Sequence, residues 1–368
     1  MSSLGRVRCA ILGARGLVAQ RFFQRLQHHP WIQPVAVIGS SSTAGTPYDE
    51  CLWSLEEPRP INTDLIIDGL DDKEQLAQKL NQLGVRIVFS ALPDEPAGKV
   101  EKYLASSGFV VISHAQVNRL EEEIPLIIPE VNTSDLSLLD VQNFYGDGKL
   151  VSCSNCMVVP LALSISPISN IYDIVSINIS TEQSLSGGGR KMLSDNLESG
   201  SIDPEIPGES ESVKEELKRI LNADFIINAN CKRVLRHHGH SARVVIQFNQ
   251  SISAHKIITK WDEFTSRSQK LSLPSAPGKI IHFVDGPISD SHRWLGFETS
   301  KNPSKDLRAG MGVAISDVQV EEMVLGFTVF CDNTIRGAAG YGVLLAEQLL
   351  ADGLVHDNDT VLTQTGNQ

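Results

Sequence analysis

A short apolar run at residues 6–12 breaks into Gly13-Ala14-Arg15-Gly16 and gives way at once to a helical pattern over 17–29. In that pattern Leu17, Val18, Phe22, Phe23 and Leu26 share one face, and Pro30 marks its end. Glycines at such a turn let the backbone approach a pyrophosphate, and the helix N-terminus behind them supplies N–H donors and the positive end of a dipole. A tight turn with no ligand would look the same in isolation. Here it opens an alternating series: strand candidates recur at 34–38, 65–67, 85–89 and 109–112, with helical stretches at 73–83 and 97–106. Apolar strands alternating with helices predict a parallel, doubly wound sheet. Ala19 stands where the usual fingerprint has its third glycine and is small enough for close helix packing.

The pattern changes after residue 150. Strand candidates at 174–180, 242–248, 280–284 and 325–330 alternate apolar with polar residues, as in a sheet with one wetter face. A charged helix is predicted over 209–221, surface loops over 194–207 and 266–278, and an apolar helix over 338–350. The expected architecture is α/β: a Rossmann-like doubly wound parallel sheet over 1–150, completed by the C-terminal segment 333–368, plus an α+β domain over 151–332 with a largely antiparallel or mixed sheet.

A length of 368 residues suits two domains, and 41% hydrophobic with 21% charged residues is ordinary for a globular chain. Thirty-two Lys and Arg against 44 Asp and Glu give a net charge of −12, which argues against nucleic acid or an anionic membrane as partner. No apolar run approaches the roughly 20 residues of a membrane span. Six cysteines are too few for a disulfide scaffold, and the N-terminus enters the first strand with no apolar signal core. The expectation is a protein of the reducing cytoplasm.

The end of the second strand bears on the cofactor. An NAD-preferring site places Asp or Glu there for the ribose diol. This chain has Ser40-Ser41-Ser42-Thr43, whose hydroxyls suit a 2′-phosphate better, with Arg15 between the two glycines able to reach it. The alternative is a solvated turn and a surface arginine.

Two constellations carry chemistry. Ser152-Cys153-Ser154-Asn155-Cys156 precedes an apolar helix over 158–164, and a cysteine at a helix N-terminus has its thiolate favoured by the dipole. The C-x-x-C spacing also admits a zinc or dithiol reading, but no second Cys/His pair has ligand spacing, and no metal is expected. Further on, Cys231-Lys232-Arg233-Val234-Leu235-Arg236-His237-His238-Gly239-His240 gathers cations and imidazoles, which acyl transfer to a thiol uses as acid/base and as a carboxylate clamp. Three close histidines are also compatible with a metal site or with plain exposure.

With these motifs the chain resembles the aspartate-β-semialdehyde dehydrogenase family, in its archaeal and fungal branch. Residues 13–22 (GARGLVAQRF) resemble the family's GATGLVGQRF, Ser90-Ala91-Leu92-Pro93-Asp94 its SALPSD loop, and residues 124–132 its VPLVIPEVN segment. Asn155-Cys156 stands at the catalytic Asn-Cys, Gln183 matches the TLQAVSG glutamine, and residues 332–340 match DNTVRGAAG. The resemblance implies Cys156 as nucleophile, His240 as acid/base, and Gln183 orienting the substrate or supporting the acyl intermediate. It implies substrate contacts from Arg233, which takes a carboxylate, from Glu209, which meets an amino group, and from Asn155 and Arg119. It implies NADP held by Gly13, Arg15, Gly16, Leu17, Val18, Ser40, Ser41, Ser42, Thr43, Ser90, Ala91, Leu92, Pro93, Ser186, Gly187 and Asn333. Residues 151–332 would form the catalytic and dimerisation domain of a homodimer or homotetramer.

The implied reaction is NADPH-dependent reduction of an acyl phosphate, aspartyl-β-phosphate, through a cysteine thioester. Several residues depart from the family pattern: Ser42 replaces an arginine, Met157 follows the cysteine, His114 replaces an asparagine, Asn118 an aromatic residue, and Ser212 stands where a lysine is expected. Arg190-Lys191 replaces an uncharged turn, and such a basic pair suits another anion, either a different acyl phosphate or an acyl thioester of coenzyme A as in malonyl-CoA reductase. The alternatives are therefore a same-fold reductase with another acyl donor and a catalytically silent homologue.

Overall fold

The computed structural model describes residues 5–60, 63–142 and 147–355. The expected C-terminal segment thus lies outside the described residues from 356 onward.

Six parallel strands form the first sheet: β1 (Val7–Leu12), β2 (Ile32–Gly39), β3 (Ile67–Gly69), β4 (Val85–Ser90), β5 (Val110–Ser113) and β6 (Lys149–Ser152). They lie in the order β3-β2-β1-β4-β5-β6, the doubly wound arrangement expected from the alternation. The helices α1 (Leu17–Leu26), α2 (Lys73–Gln82) and α3 (Asp94–Ser106) connect these strands. Their core-facing strand residues are buried on both faces, which is why they read as continuous apolar runs. The sixth strand crosses residue 150 and delivers the chain straight into the cysteine turn.

α4 (Val158–Ser169) follows, and then a mixed sheet. Its strands are β7 (Ile174–Gln183), β8 (Ile226–Arg233), β9 (His240–Phe248), β10 (Ile281–Phe283), β11 (Val313–Glu321) and β12 (Val324–Cys331), ordered β10-β11-β12-β9-β7-β8. β7 runs parallel to β8 and antiparallel to β9, so the ends of β7 and β8 meet the start of β9 at one edge.

Two of these strands escape the sequence reading. β8 (IINANCKR) is built largely from asparagine, alanine and charged residues, poor strand formers. In β11, Asp317 takes φ +51° and the register with β12 shifts between Ser316 and Gln319, a bulge that breaks the alternation. The loop expected over 194–207 begins instead within α5 (Gly189–Ser199), a polar helix ended by Gly200 at φ +65°. α6 (Glu209–Leu221) has the expected bounds. Within 266–278, Ser266 and Gln269 form a capping box that starts the short helix α8 (Arg267–Lys270), after α7 (Ala254–Asp262).

The chain closes with α9 (Gly340–Ala351), packed on α1. α1 reads as amphipathic, yet its polar face is buried too. Arg21 donates to Thr334 Oγ1 (3.0 Å) and Glu57 Oε2 (2.5 Å), Arg25 to the Leu307 and Ala309 carbonyls, and His29 Nε2 pairs with Glu347 Oε1 at 2.8 Å. The C-terminal third is thus folded back over the first helix, which is what brings residues 332–340 beneath the cysteine turn.

Candidate active site

The turn from β6 into α4 carries the thiol. Cys153 N–H donates to the Ser113 carbonyl at 2.7 Å, prolonging the ladder, and Asn155 Oδ1 accepts from Met157 N–H at 2.8 Å, closing the turn that leads into α4. One buried carboxylate then fixes the turn. Glu216 Oε2 accepts from Asn155 N–H (2.6 Å) and Ser154 Oγ (2.9 Å), while Oε1 accepts from Ser212 Oγ (2.7 Å) and Arg119 Nη1 (3.0 Å). The sequence reading missed Glu216. Its only signal is position: it lies four residues after Ser212 on the inward stripe of α6 with Val213, Leu217 and Ile220.

Glu209 opens the same helix and reaches the same place. Its Oε1 accepts from Asn155 Nδ2 at 2.9 Å and from Gln183 Nε2 at 2.8 Å, so one carboxylate oxygen fixes both amides. Gln183 and Arg233 end β7 and β8 opposite each other in register, and Arg233 Nη1 donates to the Ser184 carbonyl at 2.9 Å. His240 begins β9. Its Nδ1 accepts from Ser184 N–H at 3.0 Å, with Ser184 Oγ at 3.1 Å, so the neutral ring carries its hydrogen on Nε2. Nε2 has no hydrogen-bond partner among the described residues. Burial, helped by the Arg233 charge, pulls the His240 pKa down to about 3.

These residues surround a cavity of about 430 Å³ lined by Cys156, Asn155, Gln183, Glu209, Arg233 and Arg119, together with Leu92, Pro93, Gly187 and Gly337. His240 lies behind the wall: a methyl at Gly187 would come within 2.9 Å of its Nε2 and 2.7 Å of Arg233 Nη1. Gly337 is equally constrained, since its Cβ would sit 2.9 Å from Cys156 Cβ. Arg119 lines the cavity with its nitrogens engaged by Glu216, the Cys153 carbonyl (3.1 Å) and the His114 carbonyl (2.9 Å). Arg190 and Lys191 start α5 and are not part of the wall. The dipole argument predicts an eased thiolate, but burial and then the Glu209 charge push the Cys156 thiol up to about 12, with Arg119 and Arg233 pulling the other way.

A second cavity of about 370 Å³ lies along Gly13, Ala14, Arg15, Gly16, Gly39, Ser40, Thr43, Leu92 and Pro93. Leu92 and Pro93 belong to both walls. Gly13 has φ +88°, and a Cβ there would press to 2.7 Å from the Ala91 carbonyl oxygen, so only glycine fits. An open backbone cradle at the start of α1 fits a dinucleotide pyrophosphate. Leu17 is buried behind the turn, and Val18 packs against the core without joining the cavity wall. Ser41 and Ser42 are exposed; Ser42 Oγ lies 2.9 Å from Ser40 Oγ, and Ser41 lines an adjoining recess.

Other expected cofactor residues are placed differently. Ser90 is fully buried at the end of β4. Asn333 is buried and spends its amide on Gly239 N–H (2.8 Å) and on Ser184 and Ser186 Oγ (3.2 Å each), bracing the loops that hold His240. No group of three His, Cys, Asp or Glu among the described residues is placed to hold a metal ion. No helix among them is long and apolar enough to cross a membrane.

A doubly wound sheet whose glycine-turn cleft adjoins a polar cavity defines a nicotinamide-using oxidoreductase. Residues 8–139 match the family model described as "Semialdehyde dehydrogenase, NAD binding domain". The chain is 30% identical to the aspartate-semialdehyde dehydrogenase of Archaeoglobus fulgidus, over 95% of this chain and 100% of that one. It is 31% identical to the malonyl CoA reductase (NADP) of Metallosphaera sedula, over 95% and 98%. Its structure superposes with TM-score 0.78 on the aspartate semialdehyde dehydrogenase of Candida albicans solved with NADP, at 26% identity over 95% of this chain and 100% of that one. The chain belongs to the aspartate-semialdehyde dehydrogenase family.

Proposed function

We propose that this chain reduces aspartyl-β-phosphate to aspartate semialdehyde with NADPH, through a thioester on Cys156 and with release of phosphate. The observation that carries the reading is the shared wall: the cavity holding Cys156 and the glycine cleft meet across Leu92 and Pro93. Cys156 Sγ attacks the acyl carbon; the S–C bond forms, the C–O bond to phosphate breaks, and the thiol proton leaves with the departing phosphate. Arg233 takes the substrate carboxylate, and Glu209 Oε2, the oxygen not used by the two amides, takes the ammonium. Gln183, its Nε2 fixed by Glu209, orients the acyl group. NADPH supplies the hydride when bound. His240, hydrogen on Nε2, is the proton-moving group as the aldehyde leaves and the Cys156 thiol returns. Most of the cleft's wall suits the cofactor without direct contact from Ser90 or Asn333.

The names of the archaeal and fungal relatives support this substrate, and the fungal structure's NADP supports the cofactor. A second reading, an acyl-CoA donor, is supported by the malonyl CoA reductase, whose identity to this chain matches that of the aspartate enzymes. The proposal extends to a cofactor domain of residues 1–150 with 333–368, a catalytic domain of 151–332, and a homodimer or homotetramer; exposed Val175 and Ile226 on β7 and β8 support the assembly. All six cysteines are free, which supports a cytoplasmic setting.

The test is the oxidative direction: aspartate semialdehyde, phosphate and NADP, followed by absorbance of the reduced nicotinamide. Turnover that vanishes in Cys156→Ala supports the reading. A folded chain that ignores aspartate semialdehyde but consumes NADPH with malonyl-CoA overturns it in favour of the second.

A further inference from the structure

The glycine cleft is lined by two charged side chains, the cation Arg15 and the anion Asp71. Both are exposed, and neither makes a hydrogen bond or ion pair with any other described residue. Their neighbours are engaged. Lys79 pairs with Asp68, and Asp72 caps α2 by accepting from Gln75 N–H at 2.9 Å. Asp71 also lines the adjoining recess of about 210 Å³ with Ser41, so it stands between the two spaces.

Position gives Asp71 a meaning that the second strand's sequence lacks. Gly69 of β3 pairs with Gly39 of β2, and the chains beyond them leave the same carboxyl edge of the parallel sheet. A ribose-holding acid normally ends β2. Here β2 ends in serines, and the acid comes from the adjacent strand's loop. A 2′-phosphate and a 2′-hydroxyl ask opposite things of such a site: the first needs a cation and is repelled by a carboxylate, the second donates to one.

We propose that Arg15 and Asp71 together set the choice between phosphorylated and unphosphorylated adenine ribose. Arg15 takes the 2′-phosphate; Asp71 accepts from a 2′-hydroxyl and opposes the phosphate, so that the chain binds both forms of the cofactor in a ratio these two residues fix. The inference rests on the cofactor part of the proposed function and is independent of the acyl substrate.

Calorimetric titration of the full chain with adenosine 2′,5′-bisphosphate and with adenosine 5′-monophosphate tests it, since the probes differ only at the 2′ position. Arg15→Ala weakens the bisphosphate roughly tenfold and leaves the monophosphate within about twofold; Arg15→Lys falls between. Asp71→Asn tightens the bisphosphate roughly threefold and weakens the monophosphate. NADPH and NADH fluorescence titrations follow the same pattern. Changes of opposite sign for the two probes cannot come from unfolding. Unchanged bisphosphate affinity in Arg15→Ala, or a parallel loss of both probes in either variant, overturns the proposal. A chain that shows the opposite-sign pattern yet has no activity on aspartate semialdehyde supports this inference while sinking the acyl-phosphate reading.

Discussion

The cavity at Cys156 and the glycine cleft share a wall and are built on contrary plans. Around Cys156 the polar groups are tied to one another: Glu209 fixes two amides, Glu216 takes four donors, and Asn333 braces the loops behind His240. Around the glycine turn the work is done by backbone, and the two charges present are free. A reacting centre must hold its groups to within a fraction of an ångström, whereas a site for a large cofactor gains from open backbone and a few adaptable contacts.

Breaking the catalytic side at its centre has the largest effect. Cys156→Ala lowers turnover by at least about 10⁴-fold while NADPH affinity, read by fluorescence titration, stays within about twofold. A loss of cofactor binding in that variant would show the two sites to be less separate than their construction implies. Next come two glycines, one from each side. Gly187→Ala pushes a methyl against Arg233 and His240 and lowers kcat roughly 10²-fold with the cofactor still bound. Gly13→Ala, strained at φ +88° and pressed on the Ala91 carbonyl, costs about 1–3 kcal/mol of stability by thermal melt and weakens the cofactor instead.

The electrostatic consequence is smaller and concerns the catalytic side alone. Because the Cys156 pKa is raised, the thiolate fraction in the cofactor-free chain is small at neutral pH and grows about tenfold per pH unit. Alkylation by iodoacetamide therefore keeps rising through pH 10, without the plateau near pH 9 of a free thiol. Glu209→Gln keeps an acceptor for the two amides and removes the nearby negative charge, so alkylation at pH 8 speeds up severalfold even as turnover falls. A plateau near pH 8 in the unmodified chain would contradict the burial of the sulfur.

The contrast also governs what the sequence disclosed. Five strands of the first sheet were legible because they are buried on both faces and punctuated by helices, and α6 because its charged and apolar stripes are regular; the short β6, lying across the expected domain boundary at 150, was not. β8 and β11 were not, one for its asparagine-rich composition and the other for its bulge at Asp317. In the site, Cys156, Gln183, Glu209 and Arg233 converge on one cavity as the motifs indicated. What stayed hidden depends on distance along the chain. Ser212 reads as the loss of a family lysine, whereas its hydroxyl serves Glu216; His240 packs directly behind Gly187, where any side chain would press on its ring. The buried polar face of α1 belongs to the same class, since nothing near Arg21 or Arg25 announces a partner some 300 residues away.

That last feature has a consequence for how the molecule is born. Arg21, Arg25 and His29 leave the ribosome early, and Arg21 meets Glu57 soon after, but Thr334, the carbonyls that take Arg25 and the Glu347 that takes His29 all lie at residues 307–347, and the floor under Cys156 is laid by Gly337. Until nearly all of the chain has been synthesised, Arg25 and the His29 ring Nε2 have nothing to answer them and Cys156 has no chamber. The amino-terminal sheet is written first and finished last.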